Sequence, residues 1–435
     1  MPDRSSNGTV PCDPGAAPPT HDHPHMTQMS TAPLERQAVL IGGESLLIEC
    51  AQTLQAAGFG IAAVVSRAAA VRRWATAQKL ALFSQPSQLL SAEAPRGFGY
   101  LFSITNLDVL APEVIALPTR AAINFHDGPL PEYAGLNTPV WALLNGEAQH
   151  GITWHLMTRE VDRGDILAQR RFDLTDNESA LTLNTRCFEA AIESFEQVAR
   201  GLIDGTLAPR AQACPPQRMY KRKDRPLGVI DWTQAAAEIV RLVRALDFGA
   251  YANPVASAKL LTPRGVLIVA RAEVTAQRSA RPAGTVTAVD ATAITVATSD
   301  HDLRLTALQR TCGSAIDLLA AAQAHGMQIG ARLPLPDAAA MQARLAATAA
   351  HEPFWQQLLE TQDALELPVI DRTSIAAGAV TGSTYSNVDV AAPAALDESQ
   401  RLATVLAWLA RCADKNEFDI GFGAPADSVG AWAAQ

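Results

Sequence analysis

The chain has 435 residues, 48% of them hydrophobic and 18% charged, with a formal net charge of −9. That is enough apolar material for two or three packed domains, and no stretch approaches the roughly 18 uncharged apolar residues of a membrane helix. The acidic balance argues against general polyanion binding, so a nucleic acid would need a local basic patch. The six cysteines are Cys12, Cys50, Cys187, Cys214, Cys312 and Cys412. They form no CxxC and no paired spacing, which excludes a zinc ribbon or disulfide framework and fits a reducing, cytoplasmic setting. No charged-then-apolar signal segment opens the chain.

Residues 1–35 are rich in Pro, Ser, Thr and Gly and read as a disordered tail. His21-Asp22-His23-Pro24-His25 lies in this tail; a metal contact is conceivable there, but the run is read as solvated. Gln37 to Gly42 predicts a buried strand, Ser45 to Ala57 a helix with Leu46, Leu47, Cys50 and Leu54 at helical spacing, and Ile61 to Val65 the next strand. This β-α-β opening implies a doubly wound, mostly parallel sheet. The G-x-G-x-x-G fingerprint is missing, so a nicotinamide cofactor is not expected. Val71 to Lys79 predicts a helix whose Arg72, Arg73 and Lys79 are read as a solvated face rather than a nucleic-acid contact. Tyr100 to Ile104 is another strand, and the loop beyond it falls where open parallel sheets bind ligands.

The most informative stretch is Ala122 to Leu167. Ala121 to Phe125 reads as a buried strand that carries Asn124 and leads into His126. Residues two apart on a strand share a face, so the amide and the imidazole can address one small volume. Asp127-Gly128-Pro129-Leu130-Pro131 ends the strand abruptly, and Asp162 follows on a loop after the strand-like run Gly151 to Met157. An amide N–H can donate to an oxyanion, an imidazole can move a proton near neutral pH, and a carboxylate can fix the imidazole's tautomer. No Ser or Cys nucleophile belongs to the set, so direct transfer fits better than a covalent intermediate. Singly, each residue has a plainer reading: a turn-forming Asn, a satisfied His, a loop Asp.

The combined pattern is more specific. Asn-x-His, then Leu-Pro-x-Tyr-x-Gly, then Val-Asp-x-Gly-Asp-Ile-Leu resembles the 10-formyltetrahydrofolate-dependent formyltransferase family, which includes methionyl-tRNA formyltransferase. The wording Asn-Phe-His-Asp-Gly-Pro-Leu-Pro-x-Tyr-Ala-Gly-Leu-Asn, with Thr153-Trp154-His155, is similar to the formylation domains at the start of nonribosomal peptide synthetases. The resemblance makes Asn124, His126 and Asp162 the catalytic residues. It places folate contacts at Ser103, Leu107, Gly128, Leu130, Pro131 and Asp165, on a loop around Ser103 to Leu110 and in the segments after His126 and Asp162. The family's usual Ser-Leu-Leu-Pro reads Gly128-Pro129-Leu130-Pro131, a departure at the first two positions.

Further along, Leu136 to Leu144 predicts a helix preceded by Asn137 and Thr138, which are either neighbours of an amine substrate or caps. Ser179 to Leu202 predicts a long helix with Leu183, Cys187, Ala190, Ile192, Phe195 and Val198 mostly on its apolar face. The run from Pro215 to Pro226 holds five positive charges between Arg218 and Arg225 and reads as an interdomain linker, with phosphate contact as the alternative. A helix is expected over Ala235 to Leu246. Short β-branched runs at Val266 to Thr275, Gly284 to Val289, Ala293 to Thr298 and Asp302 to Leu308 point to a small β-barrel. The resulting partition is a tail at 1–35, a catalytic domain at 36–210, a linker at 211–228, a barrel-like subdomain at 229–336 and a helical extension at 337–435. Within the extension, helices are expected over Ala338 to Leu359 and Leu402 to Cys412. The segments around His351 to Trp355 and Leu365 to Pro368 resemble sequence beside condensation domains, so 337–435 is read either as part of a longer assembly-line enzyme or as an appended interaction domain.

The resemblance implies formyl transfer from 10-formyltetrahydrofolate, as co-substrate, to a primary amine. The expected acceptor is an aminoacyl group on a carrier protein or neighbouring synthetase domain. Methionyl-tRNA, hydrolysis of the formyl donor, and a non-catalytic docking module are the rivals. No metal and no membrane is called for.

Overall fold

A computed structural model of the chain describes residues 33–212, 218–349, 351–352, 354–355 and 398–413. The tail with His21 to His25, Leu365 to Pro368 and Asn416 to Phe422 lie outside these described residues. The chain divides into two units. One takes in the chain to Ala142, Glu147–Asp176 and Thr182–Tyr220; the other takes in Leu143–Gly146, Asn177–Leu181 and the chain from Lys221 onward.

In the first unit, β1 (Gln37–Gly42), α1 (Glu44–Ala56) and β2 (Gly60–Val65) reproduce the β-α-β opening expected from the sequence. The strands are near-continuous apolar runs because both faces of the sheet are covered. Then come α2 (Ala69–Ala77), β3 (Ala81–Phe83), β4 (Tyr100–Ile104), α3 (Pro112–Ile115) and β5 (Ala121–His126). After β5 follow β6 (Tyr133–Gly135), α4 (Thr138–Leu144), β7 (Gln149–Leu156), β8 (Ile166–Asp173) and α5 (Ala180–Asp204). The main sheet has the order β3-β2-β1-β4-β5-β7-β8. Its first five strands run parallel, and β7 and β8 join antiparallel. The chain winds outward from β1 to β3 and then resumes at β4 on the other side, which makes the β1/β4 edge the topological switch point.

One face of this sheet packs Val39, Ile41, Leu101, Leu89 and Val114 together. On the other, Phe195 of α5 meets Phe102 at 5.5 Å and Trp154 at 4.6 Å between ring centroids. Leu183, Cys187, Ala190 and Val198 are buried as their spacing predicts. Ile192 is not: it is 40% exposed, because a step of two from Ala190 carries it to the far side of a 3.6-residue turn. Arg72 also departs from a purely solvated reading, since its Nη1 donates to the Ser66 carbonyl at 3.0 Å and ties α2 to the end of β2.

The run Pro215 to Pro226, read as a linker, contains the division between the two units, after Tyr220, and also a short strand. Arg218–Tyr220 forms a strand, β9, paired in parallel with β6. The charges hide a strand only three residues long.

The second unit holds α6 (Ala236–Ala245), β10 (Lys259–Thr262), β11 (Gly265–Val274), β12 (Val286–Val289), β13 (Ile294–Ala297), β14 (Asp302–Gln309) and β15 (Ala315–Ile316). Helices α7 (Leu318–His325), α8 (Ala338–Ala349) and α9 (Glu398–Ala413) follow. The strands form an antiparallel sheet in the order β10-β11-β14-β13-β12, with β15 on β14. Register breaks near Arg271 in β11 and between Val286 and Ala288 in β12 accompany its curl into a half-barrel, where the short strands predict a small β-barrel. Its interior is filled by Leu260, Leu267, Val269, Ile294, Val296, Leu303 and Leu305. Among the described residues, no helix is long and apolar enough to cross a membrane.

Candidate active site

Strand register gathers the site. Ser103 of β4 stands opposite Asn124 of β5, and Asn124 stands opposite His155 of β7. His126, two residues beyond Asn124, stands opposite Thr153. Cross-strand partners share a face, so Ser103, Asn124, His126, Thr153 and His155 address the same side of the sheet.

The Asn124 Nδ2 is 3.2 Å from His155 Nε2. His155 Nδ1 lies 2.8 Å from the Leu156 carbonyl, and a carbonyl can only accept, so Nδ1 carries a hydrogen. A neutral His155 therefore accepts from the Asn124 amide at Nε2 and leaves the second amide N–H for another acceptor. A protonated His155 donates instead to Asp162 Oδ1, 3.4 Å away. His126 follows the same logic. Its Nε2 donates to the Tyr133 carbonyl at 2.8 Å. Its Nδ1, the nitrogen left for proton transfer, faces Asp162 Oδ2 at 3.7 Å and Asp127 Oδ1 at 3.9 Å.

Asp162 reaches the imidazoles because its loop lies flat against the end of β7. A Cβ at Gly164 would stand 1.7 Å from the Leu156 carbonyl oxygen, so only glycine fits beneath the loop. Gln212 Nε2 pins the loop by donating to the Asp162 and Gly164 carbonyls at 3.0 and 2.7 Å. The Gly135 N–H donates to Asp162 Oδ2 at 2.8 Å. Burial acts to raise the Asp162 pKa, but His126, His155 and the Gly135 N–H outweigh it and hold the carboxyl well below the usual range. Asp162 is thus a fixed negative charge.

The segment after His126 is equally constrained. A Cβ at Gly128 would lie 2.7 Å from Thr138 Oγ1, 2.8 Å from His126 Nε2 and 2.9 Å from the Tyr133 carbonyl oxygen. A serine cannot occupy this position without displacement, which accounts for the first departure from Ser-Leu-Leu-Pro. Thr153 Oγ1 donates to the Gly128 carbonyl at 2.8 Å and accepts from the Leu130 N–H at 3.1 Å. The Asp127 carbonyl accepts from Thr138 Oγ1 at 2.7 Å and His150 Nε2 at 2.8 Å. Burial pulls the His150 pKa down to about 4, so this imidazole is a neutral donor at neutral pH.

The remaining sequence-predicted residues distribute around this centre. Ser103 is buried, with its hydroxyl 3.4 Å from Asn106 Nδ2. Leu107 is 60% exposed on the loop beyond β4. Leu130 packs with Ala134, Ile166 and Met219, and Pro131 is half-buried. The Asp165 backbone carbonyl accepts from the Leu156 N–H at 2.9 Å. Next to the β6–β9 pair, Tyr133, Glu147 and Arg218 are joined by hydrogen bonds, and Trp141 stacks on Tyr220 at 4.5 Å.

Sequence reasoning quoted His155 but gave it no role, and it passed over His150. The alternation in β7 held the signal: Ile152 and Trp154 are core residues, while Thr153 and His155 share the opposite face. Taken together, the group offers an amide donor, an imidazole nitrogen between two carboxylates, and a second imidazole that orients the amide. That set can stabilise an oxyanion and move protons between two nitrogens.

The family description "Formyl transferase" matches residues 103–199, and "Formyl transferase, C-terminal domain" matches residues 224–326. Among solved structures, the N-formyltransferase from Helicobacter canadensis in complex with folinic acid and dTDP-3-aminofucose is similar at 15% identity and a TM-score of 0.49; the match covers 62% of this chain and 98% of that one. HypX from Aquifex aeolicus in complex with tetrahydrofolic acid is similar at 18% identity and a TM-score of 0.49, over 66% of this chain and 46% of that one. A 4-N formyltransferase from Francisella tularensis matches at 14% identity and a TM-score of 0.43, over 51% of this chain and 92% of that one.

Proposed function

We propose that this chain, a member of the formyltransferase family through its matched amino- and carboxyl-terminal domains, moves a formyl group from 10-formyltetrahydrofolate to the primary amine of an aminoacyl group on a carrier protein, at the start of nonribosomal peptide synthesis. The observation that carries the transfer chemistry is the convergence of the Asn124 amide, the His126 Nδ1 and the ionised Asp162, with no thiol or activated hydroxyl among them.

In this reading the Asn124 amide donates to the formyl oxygen as negative charge develops there, and the His155 Nε2 holds that amide in orientation. His126 Nδ1 carries a proton from the attacking nitrogen to the departing N10, and Asp162 stabilises the imidazolium formed meanwhile. The donor fits the surroundings: Leu107 and Val109 are exposed apolar residues on the loop beyond β4, where a ring system can cover them, and Ser103 stands beside Asn124.

For the acceptor, cations at both ends of the run from Arg218 to Arg225 are engaged within the protein. Arg218 pairs with Glu147, and Arg225 pairs with Glu352. With a net charge of −9, this leaves little basic surface for tRNA and supports a carrier-bound aminoacyl group. The test is mass spectrometry after incubation with 10-formyltetrahydrofolate and, separately, an aminoacyl carrier protein, methionyl-tRNA and a free amino acid. Formyl mass on the carrier-bound amino acid alone is the expected result. A gain on tRNA assigns the chain to initiation, and donor consumed without any formylated amine makes it a hydrolase.

A further inference from the structure

Asp127 takes no part in the chemistry above, yet it is as carefully placed as Asp162. Its carbonyl is held from two elements, by Thr138 at the start of α4 and by His150 of β7. Its Oδ1 lies 3.2 Å from Thr138 Oγ1 and 3.9 Å from His126 Nδ1. The side chain remains 30% exposed. Among the described residues, no lysine or arginine forms an ion pair with Asp127. The charged or titratable groups that face it are His126 at the end of β5, Asp162 from the loop after β7, and His150 at its carbonyl. It is a positioned carboxylate, beside the proton-carrying imidazole, that lacks a permanent cation.

The acceptor supplies one. A primary amine is mostly an ammonium near neutral pH and has no lone pair to attack with until a proton leaves. We propose that Asp127 receives the acceptor amine as its ammonium ion and takes the first proton from it. This rests on the transfer reading above. The carboxylate accepts one N–H proton, and the freed lone pair forms the new bond to the formyl carbon while the carbonyl π pair moves to oxygen. The oxyanion pair then returns to re-form the carbonyl as the bond from the formyl carbon to N10 breaks with its electron pair going to N10, which gains the second proton from the attacking nitrogen by way of His126. The first proton passes from Asp127 to water. Burial raises the Asp127 pKa, followed by the opposing effects of His126 and Thr138 and then the repulsion from Asp162. A carboxylate raised in this way is a better proton acceptor than the fixed anion Asp162.

The experiment is a pH–rate profile of amine formylation by the full chain, wild type against Asp127→Asn and Asp127→Glu, with folding checked by thermal melting. Asp127→Asn keeps the shape and an acceptor for Thr138 but cannot take a proton. Its kcat/KM for the amine should fall about 10²-fold near neutrality. It should then recover as pH rises toward the pKa of the free amine, where solvent supplies the neutral nucleophile, while the wild type is already level. Asp127→Glu should keep the wild-type profile at a reduced rate. Asp127→Asn with unchanged rate and profile overturns the proposal, and so does a uniform loss at every pH, which marks a structural role. If wild type itself yields no formylated amine, the transfer reading fails and Asp127 has no ammonium to receive. Transfer by wild type with an indifferent Asp127→Asn sinks this proposal alone.

Discussion

His126 stands between two carboxylates whose surroundings drive them apart. Asp162 is pulled down by two imidazoles and a backbone N–H, while Asp127 is pushed up by burial. The same chemistry shapes the protein's response to acid. His150 is buried neutral, so its folded pKa of about 4 lies below its ordinary value of 6.5. The unfolded chain binds more protons between those values. Its contribution is fully present at neutral pH and is lost as pH falls from about 6.5 to about 4, at a total cost on the order of 3 kcal/mol. Asp162 is also shifted down, which for an acid favours the charged form, so its contribution is present above an ordinary carboxyl pKa of about 3.9 and is lost only as pH falls below that. Denaturant titrations at pH 7, 5.5 and 4.5 should therefore find His150→Gln much flatter than wild type in this range. Parallel profiles would contradict the assignment. At this scale the sequence made Asn124, His126 and Asp162 legible through spacing and motif. His155 and His150 were harder to read, because their roles depend on β7 pairing antiparallel with β5 across some thirty residues, a register that no local pattern encodes.

The turn from β5 to β6 does most to set the site's shape. Its glycine is flanked by a hydroxyl, an imidazole nitrogen and a backbone oxygen, each within 3 Å of where a Cβ would sit. Gly128→Ser restores the family's common residue, yet it should destabilise the protein by about 1–3 kcal/mol through overpacking. Displacing His126 should also cut turnover by about 10²-fold. Melting and formylation assays check this, and a variant that matches wild type in both would show that the turn has slack. Most of the structured elements that escaped sequence reading are short, although β8 and α7, of eight residues each, also went unread. β9 lay within a charge-dense run read as a linker, and its partner β6 is just as brief. Three residues carry too few alternations for a period to emerge, and such strands exist because neighbours supply their hydrogen bonds. The longer elements, β1, β4, β5 and α5, announced themselves because each has enough apolar residues at a fixed period.

Across the whole molecule, the sequence read correctly as a mostly parallel α/β sheet followed by a curled antiparallel one. Both follow from physical constraints: strands covered on both faces become continuous apolar runs, and short β-branched strands separated by turn residues pair with their neighbours. The site lies within the first unit, at the carboxyl ends of β4 and β5. In the proposed function, this site transfers a formyl group by charge stabilisation from Asn124. The most direct measurement is single-turnover transfer by Asn124→Ala beside wild type, with folate binding followed on the same samples. The transfer rate should fall by about 10²–10³-fold, as expected for one missing oxyanion donor, with donor affinity largely retained. A variant that transfers at the wild-type rate would contradict it.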